Sequence, residues 1–131
     1  MSTRILLDTH ALLWYDAEPD RLSATSREVI QRRETIVLCS AASIYELWQK
    51  AMKPKSPIRP EHVESVLRHI PVYGFTLLPI EANHAADAAV LKWSNRDPLD
   101  RIIAAQAVAE NCAIITCDSA FKSLKQVKIL W

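Results

Sequence analysis

The sequence predicts an α/β protein built on a parallel β-sheet. Five short runs of β-branched and apolar residues alternate with longer segments that have helical spacing, a pattern typical of strands joined by crossover helices. Half of the 131 residues are apolar, which argues against disorder. The length fits one compact domain, so we expect a single domain that spans residues 1–131.

The predicted strands are recognised by their apolar composition and by the turn residues beside them. They cover residues 4–7, 36–39, 75–78, 113–117 and 127–130. Pro79 ends the third run, because proline cannot donate a ladder hydrogen bond. Ligands of parallel sheets bind at the carboxyl edge, so residues that follow these runs are candidates for a functional site.

The predicted helices begin at favourable capping residues. They cover roughly residues 9–15, 24–33, 61–69, 81–92 and 98–110, with another helix after Ser40 and a short helical turn near 119–124. Ser40 is a suitable N-cap, the stretch from Asp20 to Ser23 is a plausible start of the second helix, and Pro60 suits the first turn of the fourth helix. Asp97 and Pro98 combine an N-cap with proline at the first helical position.

Composition excludes several classes of protein. Gly74 is the only glycine, which rules out Gly-rich phosphate loops and dinucleotide fingerprints. With 16 basic and 15 acidic residues, any contact with nucleic acid must come from a local patch. Cys39, Cys112 and Cys117 lack a metal-binding spacing and predict buried, reduced thiols. Because no signal-peptide pattern and no long apolar run is present, we expect a cytoplasmic protein without a membrane span.

Four acidic residues stand beside the predicted strands and helices. Asp8 and Asp118 follow strands, Asp100 opens a helix, and Glu46 lies in the helix after Ser40. In a parallel sheet three of these carboxylates would meet at the carboxyl edge, with Glu46 joining from a neighbouring helix. Like charges repel one another, and a divalent cation would relieve that repulsion. The pattern therefore indicates metal-assisted phosphodiester hydrolysis.

A structural role is open for each acid as well. Asp8 and Asp118 could cap the helices that follow them, and the Thr9 hydroxyl could be either a capping group or part of the site. Asp100 lies at the third helical position after Asp97, which resembles a capping box. That position is compatible with a metal ligand, since the helix dipole stabilises an anion there.

Of the four acids, Glu46 has the sequence pattern that least indicates a functional role. It points away from the apolar stripe of its helix, which is formed by Ile44, Leu47, Trp48 and Ala51. Lys50 lies four residues further on, a spacing that suits an exposed salt bridge. Periodicity alone therefore favours a surface position for Glu46.

Two clusters of basic residues flank these acids. Lys50, Lys53 and Lys55 lie in and after the helix of Glu46, while Arg96 and Arg101 flank Asp97 and Asp100. They form either a solvated surface or a rim that contacts the phosphates of RNA.

Four segments together resemble the PIN-domain family, in particular the VapC-like toxin ribonucleases of type II toxin–antitoxin systems. The segments are residues 6–14, 40–47, 97–107 and 116–121. Each segment alone is a weak signature, whereas all four in this order and at these separations are specific. One departure is the proline-rich stretch 53–60, where these proteins usually carry a glycine-containing turn.

The resemblance implies a three-layer α/β/α sandwich around a five-stranded parallel sheet. It also implies a metal-dependent endoribonuclease whose acidic site holds Mg²⁺ or Mn²⁺, a small cognate antitoxin and a homodimer. By motif position Asp8, Glu46, Asp100 and Asp118 take the four acidic places of the family, so the resemblance overrides the surface interpretation of Glu46. Asp118 would act more through water than the others.

The sequence is also compatible with two other functions. The chain could be a PIN-fold interaction module that has lost catalysis, although all four acids are present. It could also be an aspartate-based phosphohydrolase or receiver-like domain, but the segment Asp8-Thr9-His10 lacks the second acid of the D-x-D pattern.

Overall fold

Five parallel strands form one sheet in the order β3-β2-β1-β4-β5 in a computed structural model, which describes residues 3–131. The strands are β1 (Arg4–Leu7), β2 (Ile36–Ser40), β3 (Thr76–Leu78), β4 (Ala113–Ile115) and β5 (Ile129–Leu130). Every pair of neighbouring strands is parallel. The predicted α/β class with a five-stranded parallel sheet is confirmed.

Six α-helices connect the strands. They are α1 (Thr9–Ala17), α2 (Ala24–Gln31), α3 (Ala41–Ala51), α4 (Pro60–His69), α5 (Ala82–Val90) and α6 (Pro98–Ala109), with short 3₁₀ helices at Pro19–Arg21 and Ser119–Ser123. The predicted caps form: the Ser23 hydroxyl accepts from the Ser26 amide at 3.0 Å, and the Ser40 hydroxyl accepts from the Ala42 amide at 3.0 Å. Within residues 3–131, no helix combines the length and the apolar character needed to cross a membrane.

Alternation along the strands builds a hydrophobic core on each face of the sheet. In β1, Ile5 and Leu7 belong to one core and Leu6 to the other, because successive side chains point to opposite faces. The first core is covered by α1, α2, α3 and α4, and the second mainly by α6 and the second 3₁₀ helix. These layers form the expected α/β/α sandwich, and burial on both faces explains why the three central strands, β1, β2 and β4, are almost continuously apolar.

Some element ends differ from the sequence-based expectation. Helix α5 ends at Val90, and the Arg101 guanidinium donates to the Ala88 and Leu91 carbonyls at this end, at 2.9 and 2.5 Å. Strand β4 ends at Ile115, and the chain then turns toward the carboxyl edge. The expectation of a buried thiol is therefore wrong for Cys117, which is exposed after this turn, whereas Cys39 and Cys112 are buried.

The strand order creates a crevice at the carboxyl edge between β1 and β4. Strands β2 and β3 lie on one side of β1, while β4 and β5 lie on the other, so the connections reverse direction at this point. Such a switch point is where open α/β sheets bind ligands. Asp8 follows β1 and Thr116 follows β4 at this crevice.

Candidate active site

Asp8 is held rigidly at the end of β1. Its side chain is only 8% exposed, and it caps α1 by accepting a hydrogen bond from the Ala11 amide at 2.8 Å. Its second carboxylate oxygen accepts from the Thr116 hydroxyl. Burial raises the pKa of Asp8 above its usual value, although these two hydrogen bonds act in the opposite direction. The sequence left two alternatives for Asp8, a helix cap and a residue of the site. The structure shows that the two roles are compatible, because different oxygens of one carboxylate make the two hydrogen bonds.

Thr116 links two of the predicted acids, and sequence reasoning missed it. Its hydroxyl donates to Asp8 and accepts from the Asp118 backbone amide at 3.0 Å. One buried side chain therefore connects the loops that follow β1 and β4. The only signal in the sequence was its position two residues before Asp118 at the end of a strand.

Asp118 is exposed at the same edge. It caps the short helix Ser119–Ser123 by accepting from the Ala120 amide at 3.0 Å. Its negative charge contributes to the raised pKa of both Asp8 and Asp100, which indicates that the three carboxylates share one region.

Glu46 faces the crevice, in contrast to the surface position that helix periodicity favoured. Its side chain is 16% exposed, and one carboxylate oxygen lies 3.0 Å from the Thr9 hydroxyl, which follows Asp8. Because a carboxylate can only accept, the Thr9 hydroxyl donates to Glu46, and it can accept in turn from the Ser43 hydroxyl at 3.1 Å. The predicted pairing with Lys50 is present at 2.9 Å.

Asp100 lies half-buried in the first turn of α6. Asp97 caps this helix by accepting from the Leu99 and Asp100 amides, at 2.9 and 3.2 Å. The Asn95 side-chain amide donates to the Asp100 carboxylate at 3.0 Å. Burial, followed by the charges of Asp97, Glu46 and Asp118, raises the pKa of Asp100 to about 6, against the lowering effect of the Asn95 bond.

The site consists of carboxylates that repel one another. Raised pKa values at Asp8 and Asp100 mean that their ionised forms are destabilised, and a cation would reverse this effect. All the acidic donors are hard oxygen atoms, which suit Mg²⁺ or Mn²⁺ better than softer metals. The chemistry of the donor set therefore fits a divalent cation of this class.

The side chains as they stand do not form a closed metal cage. Among residues 3–131, no group of three or more His, Cys, Asp or Glu side chains is arranged to hold a metal ion. Mg²⁺ needs only one or two protein carboxylates because it retains several waters. A hydrated ion of this class could therefore use a subset of these carboxylates together with water.

The predicted RNA-contacting residues fall into separate groups. Lys50 belongs to the acidic site through Glu46. Lys53 and Lys55 are exposed after α3, and Arg96 is exposed before α6. These three side chains are free of the acidic site and remain predicted phosphate contacts.

Arg101 has a structural role that the sequence did not reveal. Its guanidinium donates to the carbonyls of Ala88, Leu91, Trp93 and Asn95, at 2.5 to 2.9 Å. These bonds use four of the five N–H donors of the guanidinium and hold the α5–α6 connection. A contact between Arg101 and RNA stays a prediction.

The fold and the site define an α/β protein whose carboxylates gather at the switch point of a parallel sheet. The PIN domain family model matches residues 5–127. Ribonuclease VapC22 from Mycobacterium tuberculosis is 30% identical over 126 residues, which cover 92% of each protein. The chain belongs to the PIN-domain family.

Solved structures share the fold at lower sequence identity. VapBC2 from Rickettsia felis, bound to a DNA fragment from its promoter, superposes with a TM-score of 0.71 at 17% identity and covers 98% of both chains. VapBC-5 from Mycobacterium tuberculosis, a member of the VapBC family of toxin–antitoxin systems, superposes with a TM-score of 0.65 at 18% identity over 98% of both chains.

Proposed function

We propose that this protein is a metal-dependent endoribonuclease that cleaves RNA phosphodiester bonds. The observation that carries the proposal is the gathering of Asp8, Glu46, Asp100 and Asp118 at one sheet edge, where their charges act on one another. The 30% identity to a ribonuclease over almost the whole chain supports the same function.

The residues of the site have different proposed roles. Asp8, Glu46 and Asp100 would hold the cation, Mg²⁺ or Mn²⁺, directly or nearly so, with Asp118 contributing more through water. Thr116 and Thr9 keep Asp8 and Glu46 in place. A divalent cation bound there supplies stabilisation of the negative charge that develops on the phosphoryl and leaving oxygens.

Basic residues around the site would contact the RNA backbone. Lys53, Lys55 and Arg96 are exposed and can approach phosphates without giving up an ion pair within the site. Lys50 would move between Glu46 and a phosphate. Because the net charge of the chain is only +1, such contacts are local and do not extend over the whole surface.

The biological role that we propose is that of a toxin in a type II toxin–antitoxin pair. Several proteins with this fold were solved as VapBC complexes or as members of the VapBC family. By analogy we propose a small cognate antitoxin as partner and a homodimer as the assembled state. Because the substrate that we propose is cellular RNA, the compartment that we propose is the cytoplasm.

The experiment compares RNA cleavage by the wild-type protein and by Asp100→Asn. Purified protein is incubated with RNA in the presence of Mg²⁺ or Mn²⁺, and again with EDTA. We expect cleavage only with wild type and metal, while circular dichroism shows that the variant remains folded. Full activity of the folded Asp100→Asn protein, or cleavage that persists in EDTA, would reject the assignment.

A further inference from the structure

A cleft of about 270 Å³ lies beside the acidic site, between α1 and the segment that leads into α4. Its walls include three apolar residues and three that carry polar or cationic groups: Leu13, Trp14, Ile58, His10, Arg21 and His62. A small, mostly apolar cavity with a few convergent polar groups is the usual form of a ligand pocket.

The cleft and the acidic site both adjoin α1, whose residues His10, Leu13 and Trp14 line the cleft. Asp8 caps this helix, and His10, two residues further on, lies close enough for its charge to act on Asp8. His10 and Trp14 follow the spacing of one helix face. Trp14 lies about 9 Å beyond Asp8 along the helix axis. A ligand in the cleft would therefore be adjacent to whatever binds the carboxylates.

Stacking groups surround Trp14. The Arg21 guanidinium lies 4.5 Å from the centre of the Trp14 ring, and the Arg21 side chain is exposed. Trp131 meets Trp14 edge-on at 6.0 Å, and His10 lies 5.6 Å from it. Aromatic rings and arginine planes are the surfaces on which proteins stack unpaired bases.

Hydrogen-bonding groups also reach the cleft. The Arg59 amide donates to Nδ1 of His62 at 3.0 Å, so the neutral imidazole carries its proton on Nε2. That N–H can donate to a ligand. Glu18, also in the lining, supplies a carboxylate acceptor beside Arg21, with which it pairs at 3.2 Å. The edge of a heterocyclic base presents matching acceptors and donors.

We propose that this cleft binds one unpaired nucleobase of the RNA, next to the phosphate at the acidic site. Its importance for cleavage rests on the proposed ribonuclease function, whereas the binding itself does not. The cationic and imidazole groups of Arg21, His10 and His62 favour a nucleotide over an apolar peptide side chain, because they add attraction for the adjoining phosphate.

The first test measures binding of nucleoside 5′-monophosphates to the wild-type protein by ligand-observed NMR. Ribose 5-phosphate serves as the probe that lacks a base. We expect saturable binding of at least one monophosphate and none of ribose 5-phosphate. Equal behaviour of the two probes would overturn the proposal. The proposal would also be overturned if an apolar peptide filled the cleft and the bound nucleotide were not displaced.

Matched variants locate the binding. Arg21→Ala removes an exposed stacking group, and Trp14→Leu removes the ring beneath it; each should weaken binding about tenfold or more. Arg27→Ala is the control, because Arg27 lies on α2 outside the cleft and pairs with Asp20 at 3.7 Å. The proposal fails if Arg21→Ala binds as tightly as Arg27→Ala, since Arg21 is exposed and its loss leaves the fold intact.

A cleavage assay then connects the cleft to the reaction. Nucleotides of a cleaved RNA are replaced one at a time by an abasic residue. We expect one position beside the cut to raise KM about tenfold in wild type and to have little effect in Arg21→Ala. An equal response at every position would contradict the base-binding role. Absence of all cleavage would reject the proposed function, while the monophosphate measurement would still decide the cleft.

Discussion

The hydroxyl of Thr116 donates a hydrogen bond to the carboxylate of Asp8, across the crevice between β4 and β1. The two residues are 108 positions apart in the chain. Because the same hydroxyl accepts from the Asp118 amide, a single side chain sets the distance between two of the four acids. Hydrogen bonds within the acidic site therefore help to hold its carboxylates in position.

Replacing Thr116 tests this support. Thr116→Val keeps the shape but removes a hydrogen bond to a buried carboxylate, and we expect the free energy of unfolding to fall by about 1.5–3 kcal/mol. RNA cleavage should fall as well, because Asp8 loses its anchor. Chemical denaturation and the cleavage rate measure the two effects.

Thr35→Val is the matched control for that change. The Thr35 hydroxyl is buried without a hydrogen-bond partner in residues 3–131. Removing it should leave stability unchanged or increase it, because an unsatisfied polar group is lost. Equal destabilisation by the two substitutions would contradict a specific role for the Thr116 bond.

The pH dependence of the protein's stability should reveal the titration of Asp100. Its pKa is about 6 in the folded protein and near 3.8 when unperturbed, so between these values the folded state binds more protons than the unfolded state. Stability of the metal-free protein should therefore decrease as pH rises from about 4 to 6. Thermal unfolding measured over this range should show a smaller decrease for Asp100→Asn.

Two further measurements sharpen the pH experiment. Asp87→Asn, at an exposed carboxylate on α5, should retain the wild-type pH profile. Saturating Mg²⁺ should reduce the decrease in the wild-type protein, because a bound cation favours the ionised carboxylate. If Asp100→Asn follows the wild-type profile throughout, Asp100 is not the group that titrates.

Substitutions of Arg101 and Arg96 should have different effects, the first mainly on stability and the second mainly on RNA binding. Arg101→Ala removes four hydrogen bonds to carbonyls, and we expect a loss of about 2 kcal/mol or more in unfolding free energy. Arg96→Ala, at an exposed residue, should change stability by less than about 0.5 kcal/mol but weaken RNA binding. Denaturation and filter binding measure the pair; a stable Arg101→Ala protein would refute the structural role.

Lys50 should control the metal requirement. It neutralises part of the Glu46 charge at 2.9 Å, so Lys50→Gln leaves the acidic site more negative. The Mg²⁺ concentration that gives half-maximal cleavage should therefore decrease. Lys53→Gln, at an exposed lysine beyond the helix, is the control and should leave this concentration unchanged. An increased requirement in Lys50→Gln would contradict the expected charge effect.

Much of the fold could be predicted because its causes are local. Ser23, Ser40 and Asp97 cap their helices as expected, since a side chain reaches amides two or three residues away whatever the rest of the chain does. The apolar runs identify the strands, of which the three central ones are buried on both faces. The ends of β4 and α5 were missed. The residues just beyond them, Thr116 and Leu91, bond to Asp8 and Arg101, and local spacing does not reveal these partners.

Sequence alone determined which residue types stand at the carboxyl ends of the strands, and hence that a cluster of acids was available. Only the tertiary structure decided how they face one another. Glu46 turns inward to the Thr9 hydroxyl although its helix periodicity pointed outward, and Arg101 turns to carbonyls although its charge suggested phosphate. The physical reason is that such orientations follow from hydrogen bonds between segments brought together by the sheet, and local spacing contains no information about those partners.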